Sequence, residues 1–222
     1  MGYELDFSTI AANARLFAVG IGITLLLTAI TAAAGLTLSV LGAVAKLWAA
    51  RPIRLMVAAY VELIRNTPFI VQLFFIFFGL PSLGLRLSAF TASLLAMIVN
   101  LTAYGLEIVR AGIQSVPEGQ REAALALGLR PMTVFSRVIL PQAVANIYPA
   151  LVSQIVIMML ESAAVSQIAV TDLTHIADYI QSRTYRAFET YMVTALIYLA
   201  LALALRWLLA RAGRHLLAGR AR

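Results

Sequence analysis

Five stretches of this chain contain no charged residue: 16–45, 66–85, 87–106, 138–160 and 190–205. An α-helix needs about 20 mostly apolar residues, within about 17–25, to cross the hydrocarbon layer of a bilayer. The first four stretches meet that length. The fifth has 16 residues, with Tyr191 and Trp207 bracketing it as interfacial aromatics and Arg206 able to extend its charge toward the headgroups. The second is expected to begin earlier, near Leu55, which would place Glu62 and Arg65 inside the span. The expectation is an all-α membrane protein of five transmembrane helices forming one domain over residues 1–222. Composition agrees, because 62% of residues are hydrophobic and 12% charged, against about half and a quarter in soluble domains. The first stretch is too long for a signal-peptide core. Glu4, Asp6 and Arg15 precede it in place of a basic leader, so it is expected to be retained.

Orientation follows from the basic residues. The 46–54 loop, the 107–137 segment and the C-terminal tail together carry twelve Lys and Arg, whereas the alternate loops carry four. Cytoplasmic loops hold the excess of Lys and Arg, so the N-terminus is expected outside and the C-terminus in the cytoplasm. The net charge of +7 is accounted for by these loops and calls for no nucleic-acid partner. The partner of the apolar surface is the lipid bilayer.

Two connecting segments are too long for turns. Residues 117–141 read as helix, break, helix. Glu118 and Glu122 suit a first turn, the Ala-Leu run 123–127 favours helix, Gly128 fits a left-handed cap, and Pro131 opens a second short helix through Arg137. Pro141 then restarts the chain into the fourth span. Ile176 and Ile180 suggest an amphipathic helix within 161–189, and His175 reads as an exposed loop residue.

Catalytic chemistry is missing. Lys46 is the only lysine and stands in no Gly-rich phosphate loop, so the chain cannot hold a nucleotide in that fashion. There is no cysteine, and the two histidines are far apart, so neither a disulfide nor a metal site is expected. The most specific pattern is Glu122-Ala123-Ala124, then Gly128, then Leu140-Pro141. It resembles the EAA loop of the membrane subunits of bacterial ABC importers, with Val138 where that pattern has Ile. The blocks Tyr60 to Pro68, Gln72 to Phe75, Tyr104, Glu107 to Arg110 and Gly112 to Gln120 are similar to the polar amino acid permease subfamily.

This resemblance implies an amino acid importer of the bacterial cytoplasmic (inner) membrane. A pair of permease subunits, identical or homologous, would sit on an ATPase dimer that binds ATP and Mg, and an external amino-acid-binding protein would deliver substrate. The 117–141 loop would be the coupling helix, through Glu122, Ala123, Ala124, Gly128, Leu140 and Pro141. This chain itself would carry no cofactor and no enzymatic activity. Around 160–164 the family often has Lys-Asp-Thr-Ser-Leu, whereas this chain has Leu160-Glu161-Ser162-Ala163-Ala164, so substrate contacts of relatives do not transfer there.

Polar groups inside a membrane mark functional sites by default. Arg65, Asn100, Tyr104, Gln154 and Glu161 are the candidates for a substrate path. Glu62 and Arg65 can pair at i, i+3, either as a structural ion pair or around substrate. Asn100, Tyr104 and Glu107 form a stripe that faces a pathway or a neighbouring helix. Pro68 and Pro149 are expected to kink their helices, with Thr67 able to bond freed carbonyls, and Phe74 to Phe78 suit lipid contact or packing. Two other functions stand beside the importer: a small ion-coupled secondary transporter, which usually shows internal repeats, and a non-transporting membrane assembly protein, which leaves the 117–141 pattern without a role.

Single cysteines at Ser8, Ser82, Ser136 and Ala218 test the orientation. In intact cells an impermeant thiol reagent is expected to label the first two and spare the last two. Labelling at Ser136 or Ala218 would reverse the topology.

Overall fold

The computed structural model describes residues 4–218, and among them every regular element is helical. The helices are α1 (Ser8–Ala12), α2 (Ala14–Trp48), α3 (Arg51–Arg65), α4 (Phe69–Phe74), α5 (Ala89–Gln114), α6 (Glu118–Ala126), α7 (Pro131–Val134), α8 (Leu140–Glu161), α9 (Leu173–Thr184) and α10 (Ala187–Ala218). Arg220 and Arg222, counted with the basic tail, lie outside the described residues. Four helical segments are long and apolar enough to span a bilayer: Ala14–Trp48, Ala89–Gln114, Pro131–Ile168 and Ala187–His215. Arg51–Arg65 and Phe69–Leu83 make a fifth only when taken together, because they meet at a bend of 109°. The stretch expected as the second span is therefore broken rather than one straight helix from Leu55.

Pro68 causes that break, since it has no N–H to continue the helix. Nearby side chains bond the carbonyls left free. Thr67 Oγ1 donates to Leu63 O at 2.9 Å and Gln72 Nε2 to Ile64 O at 2.7 Å, while Asn66 Nδ2 adds a bond at 2.8 Å to Glu62 O, which keeps its backbone bond from Asn66 N. In hydrocarbon such carbonyls have no water to turn to, so the Thr67 and Gln72 side chains make the break tolerable.

The centre of the fold is the α2–α5 seam. One face of α2 carries Thr24, Thr28, Thr31, Gly35, Ser39 and Ala43, all buried and small. Small residues let two backbones approach closely where the hydrophobic effect supplies little drive between helices in lipid. Ser39 Oγ donates to Gly35 O at 2.7 Å on its own helix, and lies 3.2 Å from Thr102 O on α5. A Cβ added to Gly105 would lie 2.3 Å from Ser39 Oγ. The same economy of space recurs where α5 meets α8: a Cβ on Gly112 would stand 1.9 Å from Ile147 Cγ2.

The segment expected as a second short helix ending at Arg137 does not end there. A wide π turn, Phe135–Ile139, joins α7 to α8, and Pro141 falls in the first turn after it. Pro141 has no N–H to bond back into the preceding turn, and the wider turn carries the helix past that missing bond. Pro149 sits inside α8. The 161–189 connection holds a 3₁₀ turn, Ser162–Ile168, and the amphipathic α9, which buries Leu173, Ile176 and Ile180. His175 lies on α9, half-buried, rather than in an exposed loop. Asp172 caps α9 by accepting from His175 N at 2.9 Å, and it also accepts from Tyr198 Oη on α10 at 3.2 Å. Its side chain is wholly buried, and burial pushes its carboxyl from 3.8 up to about 6.

Two outcomes follow. Gly112→Ala is expected to lower stability by about 1–3 kcal/mol through overpacking against Ile147, while Gly22→Ala, facing open space, should be near neutral. Equal melting temperatures for the two in detergent would contradict the close α5–α8 contact. For Asp172, the folded-state value lies above the ordinary one, so the folded chain holds the proton more tightly. Its contribution is complete below about pH 4 and is lost as pH rises through about 6. Asp172→Asn keeps a capping oxygen and is expected to flatten the stability profile between pH 4 and 7. A profile parallel to that of the parent would show that Asp172 does not titrate there.

Candidate functional site

Two places collect the residues singled out in the sequence. The first is α6 and the turn after it. Glu118 alone occupies the first turn of α6 and pairs with Arg121 at 2.7 Å, both exposed, while Glu122 stands one turn further on. Gly128 adopts φ +77°, the left-handed cap expected. Two hydrogen bonds close the helix there: Gly128 N to Leu125 O at 2.9 Å and Leu129 N to Ala124 O at 3.3 Å. That paired pattern satisfies carbonyls at a helix C-terminus and suits glycine. The two alanines divide. Ala124 is buried, whereas Ala123 and Glu122 are exposed. Leu127 and Met132 flank the turn at 81% and 76% exposure, so the element presents apolar surface that nothing among the described residues covers. Gln142 Nε2 donates to Gln120 Oε1 at 2.6 Å and ties the base of α6 to the start of α8, beside Leu140 and Pro141.

The second place is an open cavity of about 270 Å³ at the elbow between α3 and α4, lined by Glu62, Arg65, Asn66 and Tyr104. Tyr104 projects from α5, and its ring centroid lies 5.4 Å from the Arg65 guanidinium carbon. Its hydroxyl reaches Arg65 O at 3.5 Å. The expected ion pair between Glu62 and Arg65 is not formed. Glu62 Oε2 instead accepts from Asn66 Nδ2 at 2.9 Å. The helix ends at Arg65, and this lets Asn66 fold back onto Glu62 while Arg65 turns to the aromatic face. One carboxylate and one guanidinium therefore line the same cavity without neutralising each other.

The Asn100–Tyr104–Glu107 stripe serves three neighbours rather than one. Asn100, buried, donates to Gln72 Oε1 at 3.0 Å and so fixes the amide that bonds the broken helix end. Tyr104 faces the cavity. Glu107 bridges to Lys46 on α2 and accepts two bonds from Arg110, at 3.0 and 2.7 Å. Gln154 and Glu161 are half-buried on α8, and neither lines the cavity. Glu161 has no ion-pair partner among the described residues. Of the five substrate-path candidates, the structure brings together Arg65 and Tyr104, and it places Asn100 behind them as a support. Gln72 and Asn66 fall within the blocks that carry the resemblance but were not among the candidate site residues. Their signal was available, as amide side chains flanking a proline inside an otherwise apolar stretch. Phe75 and Phe78 are exposed, while Phe74 and Phe77 pack against the core, so the aromatic cluster divides between outer surface and packing.

Comparison with known proteins gives a consistent result. Residues 35–217 match the family described as binding-protein-dependent transport system inner membrane component. The chain is 35% identical over 206 residues to an arginine transport system permease protein of Bacillus subtilis, covering 92% of this chain and 94% of that one. It is 34% identical over 218 residues to a glutamine transport system permease protein of Escherichia coli, covering 96% and 98%. Among solved structures, an amino acid ABC transporter crystallised with histidines has a chain that superposes with a TM-score of 0.90 at 42% identity, covering 96% of this chain and all of that one. A methionine ABC transporter in an inward-facing conformation shares the fold, with a TM-score of 0.67 at 23% identity.

Proposed function

Because the chain belongs to the binding-protein-dependent transport system inner membrane component family, we propose that it is the multi-pass membrane subunit of a bacterial inner-membrane importer that passes amino acids into the cytoplasm. ATP would be hydrolysed on a separate ATPase dimer, and an external binding protein would deliver the substrate to a pair of these permease chains. The broken second span completes a set of five, with the N-terminus outside.

The observation that carries the substrate reading is the cavity at the α3–α4 elbow. A zwitterionic amino acid presents a carboxylate and an ammonium on one carbon. Arg65 can take the carboxylate by charge-assisted hydrogen bonds, and Glu62 can take the ammonium, each stronger than a neutral bond. Tyr104 and Asn66 fix the two charged groups from opposite sides. Relatives named for arginine and glutamine transport, and a neighbour solved with histidines, support an amino acid as the cargo. Gln154 and Glu161 would belong to a later stretch of the path or to contacts with the partner permease and the binding protein.

The coupling role rests on α6. Exposed Glu122 and Ala123 with Leu127 offer a short, small-residue surface for a groove on the ATPase, and Gly128 sets its angle to α7. Movement of α6 would reach α8 through Gln120–Gln142 and through the continuous helix from Pro131 onward.

Two variants test these roles in the assembled transporter. Arg65→Gln is expected to weaken amino acid affinity about 10- to 100-fold, the loss of one hydrogen bond to a charged group, with basal ATP hydrolysis unchanged. Unchanged substrate affinity would remove Arg65 from the path. A Cβ at Gly128 meets no atom within 4 Å, so the cost argued for Gly128→Val is backbone strain at φ +77°, on the order of 1–3 kcal/mol. It is expected to insert normally yet lose uptake, with ATP hydrolysis no longer stimulated by the loaded binding protein. Normal uptake would show that the turn transmits nothing.

A further inference from the structure

A second cavity, of about 620 Å³, opens where α2, α3 and α5 converge at their Lys- and Arg-rich ends. Lys46, Arg51, Arg54 and Arg110 line it, together with Leu47, Leu55, Ala58 and Gln114. Lys46 and Arg110 share the single carboxylate of Glu107. Arg51 and Arg54 have no acidic partner among the described residues, so the site keeps an excess of positive charge. Its surroundings are apolar. Trp48 is 56% exposed at the end of α2, and Leu55 and Met56 are 60% and 72% exposed on α3.

From this combination we infer that the cavity binds the headgroup of an anionic phospholipid of the inner leaflet, with the acyl chains lying along the exposed apolar face of α3. A free anion would need only the cations. The exposed Leu55, which both lines the cavity and faces outward, makes a lipid the better fit. Basic pockets between transmembrane helices on the cytoplasmic side are suited to such headgroups, and each Lys or Arg near an anionic surface contributes about fivefold in affinity. Bound lipid would also hold the start of α3, and through α3 the elbow that carries Glu62 and Arg65.

The test uses the full-length chain in phosphatidylcholine nanodiscs, titrated with phosphatidylglycerol and read by native mass spectrometry. The parent is expected to retain phosphatidylglycerol over phosphatidylcholine. Arg51→Gln/Arg54→Gln should lose at least tenfold in that affinity, while Arg51→Lys/Arg54→Lys should keep most of it, which separates lost charge from lost fold. Arg206→Gln/Arg214→Gln, removing the same charge from α10, should leave it unchanged. Four results would overturn the inference: unchanged retention in the Gln pair, a Lys pair no better than the Gln pair, equal loss in the α10 pair, or displacement of the lipid by an equimolar amount of inorganic phosphate. The first of these, joined with loss of ATPase co-purification in the Gln pair, would assign the cavity to a protein partner.

Discussion

Backbone carbonyls cannot be left bare in hydrocarbon, and the fold turns on how this is solved at Pro68. The proline ends α3, and the chain leaves it at 109° to the helix that follows. Thr67 and Gln72 supply the missing donors, and Asn100 holds Gln72 in place from α5. With the helix closed at Arg65, two charged side chains and Tyr104 are left around an open cavity. The triplet Asn66-Thr67-Pro68, with Gln72, thus creates the break, makes it stable and shapes the cavity at once.

The rest of the molecule holds the elbow against a fixed reference. The α2–α5 seam is close because α2 presents mainly Gly, Ser, Thr and Ala there, with Leu101 and Leu106 of α5 packing over Gly35 and Gly42, and close helices leave little freedom for Tyr104 and Asn100 to shift. At the basic end of that seam Glu107 draws Lys46 and Arg110 together. The ion pairs are partly buried, so removing Glu107 would leave two cations beside an apolar interior with no counter-charge. From there α5 continues to Ser115, whose hydroxyl accepts from Asn146 on α8 at 3.0 Å, and so meets the base of α6. The cavity at the elbow and the exposed turn are thereby joined by packed helices.

Much of this was legible in the sequence. The long helices follow from uncharged runs, the amphipathic α9 from Ile176 and Ile180, and the left-handed turn from Gly128 between an Ala-Leu run and Pro131. What was not legible depends on partners distant in the chain. The spacing of Glu62 and Arg65 suggests a pair, but spacing does not show that Asn66 competes for one partner and the Tyr104 ring for the other. Pro141 reads as a helix start, and only the π turn before it reveals that α7 and α8 are continuous. The Asn100–Tyr104–Glu107 stripe has one face in sequence and three neighbours in space, because α2, α3 and α4 each meet α5 at a different height.

The sharpest measurement is amino acid binding to the purified transporter carrying Gln72→Leu. Gln72 does not line the cavity, yet it bonds both the end of α3 and Asn100. Equilibrium binding by isothermal titration, with the parent and Asn100→Leu alongside, is expected to show affinity lost in both variants although every cavity side chain is intact. Affinity equal to that of the parent in a folded Gln72→Leu protein would mean that the bonded break does not hold the cavity in shape.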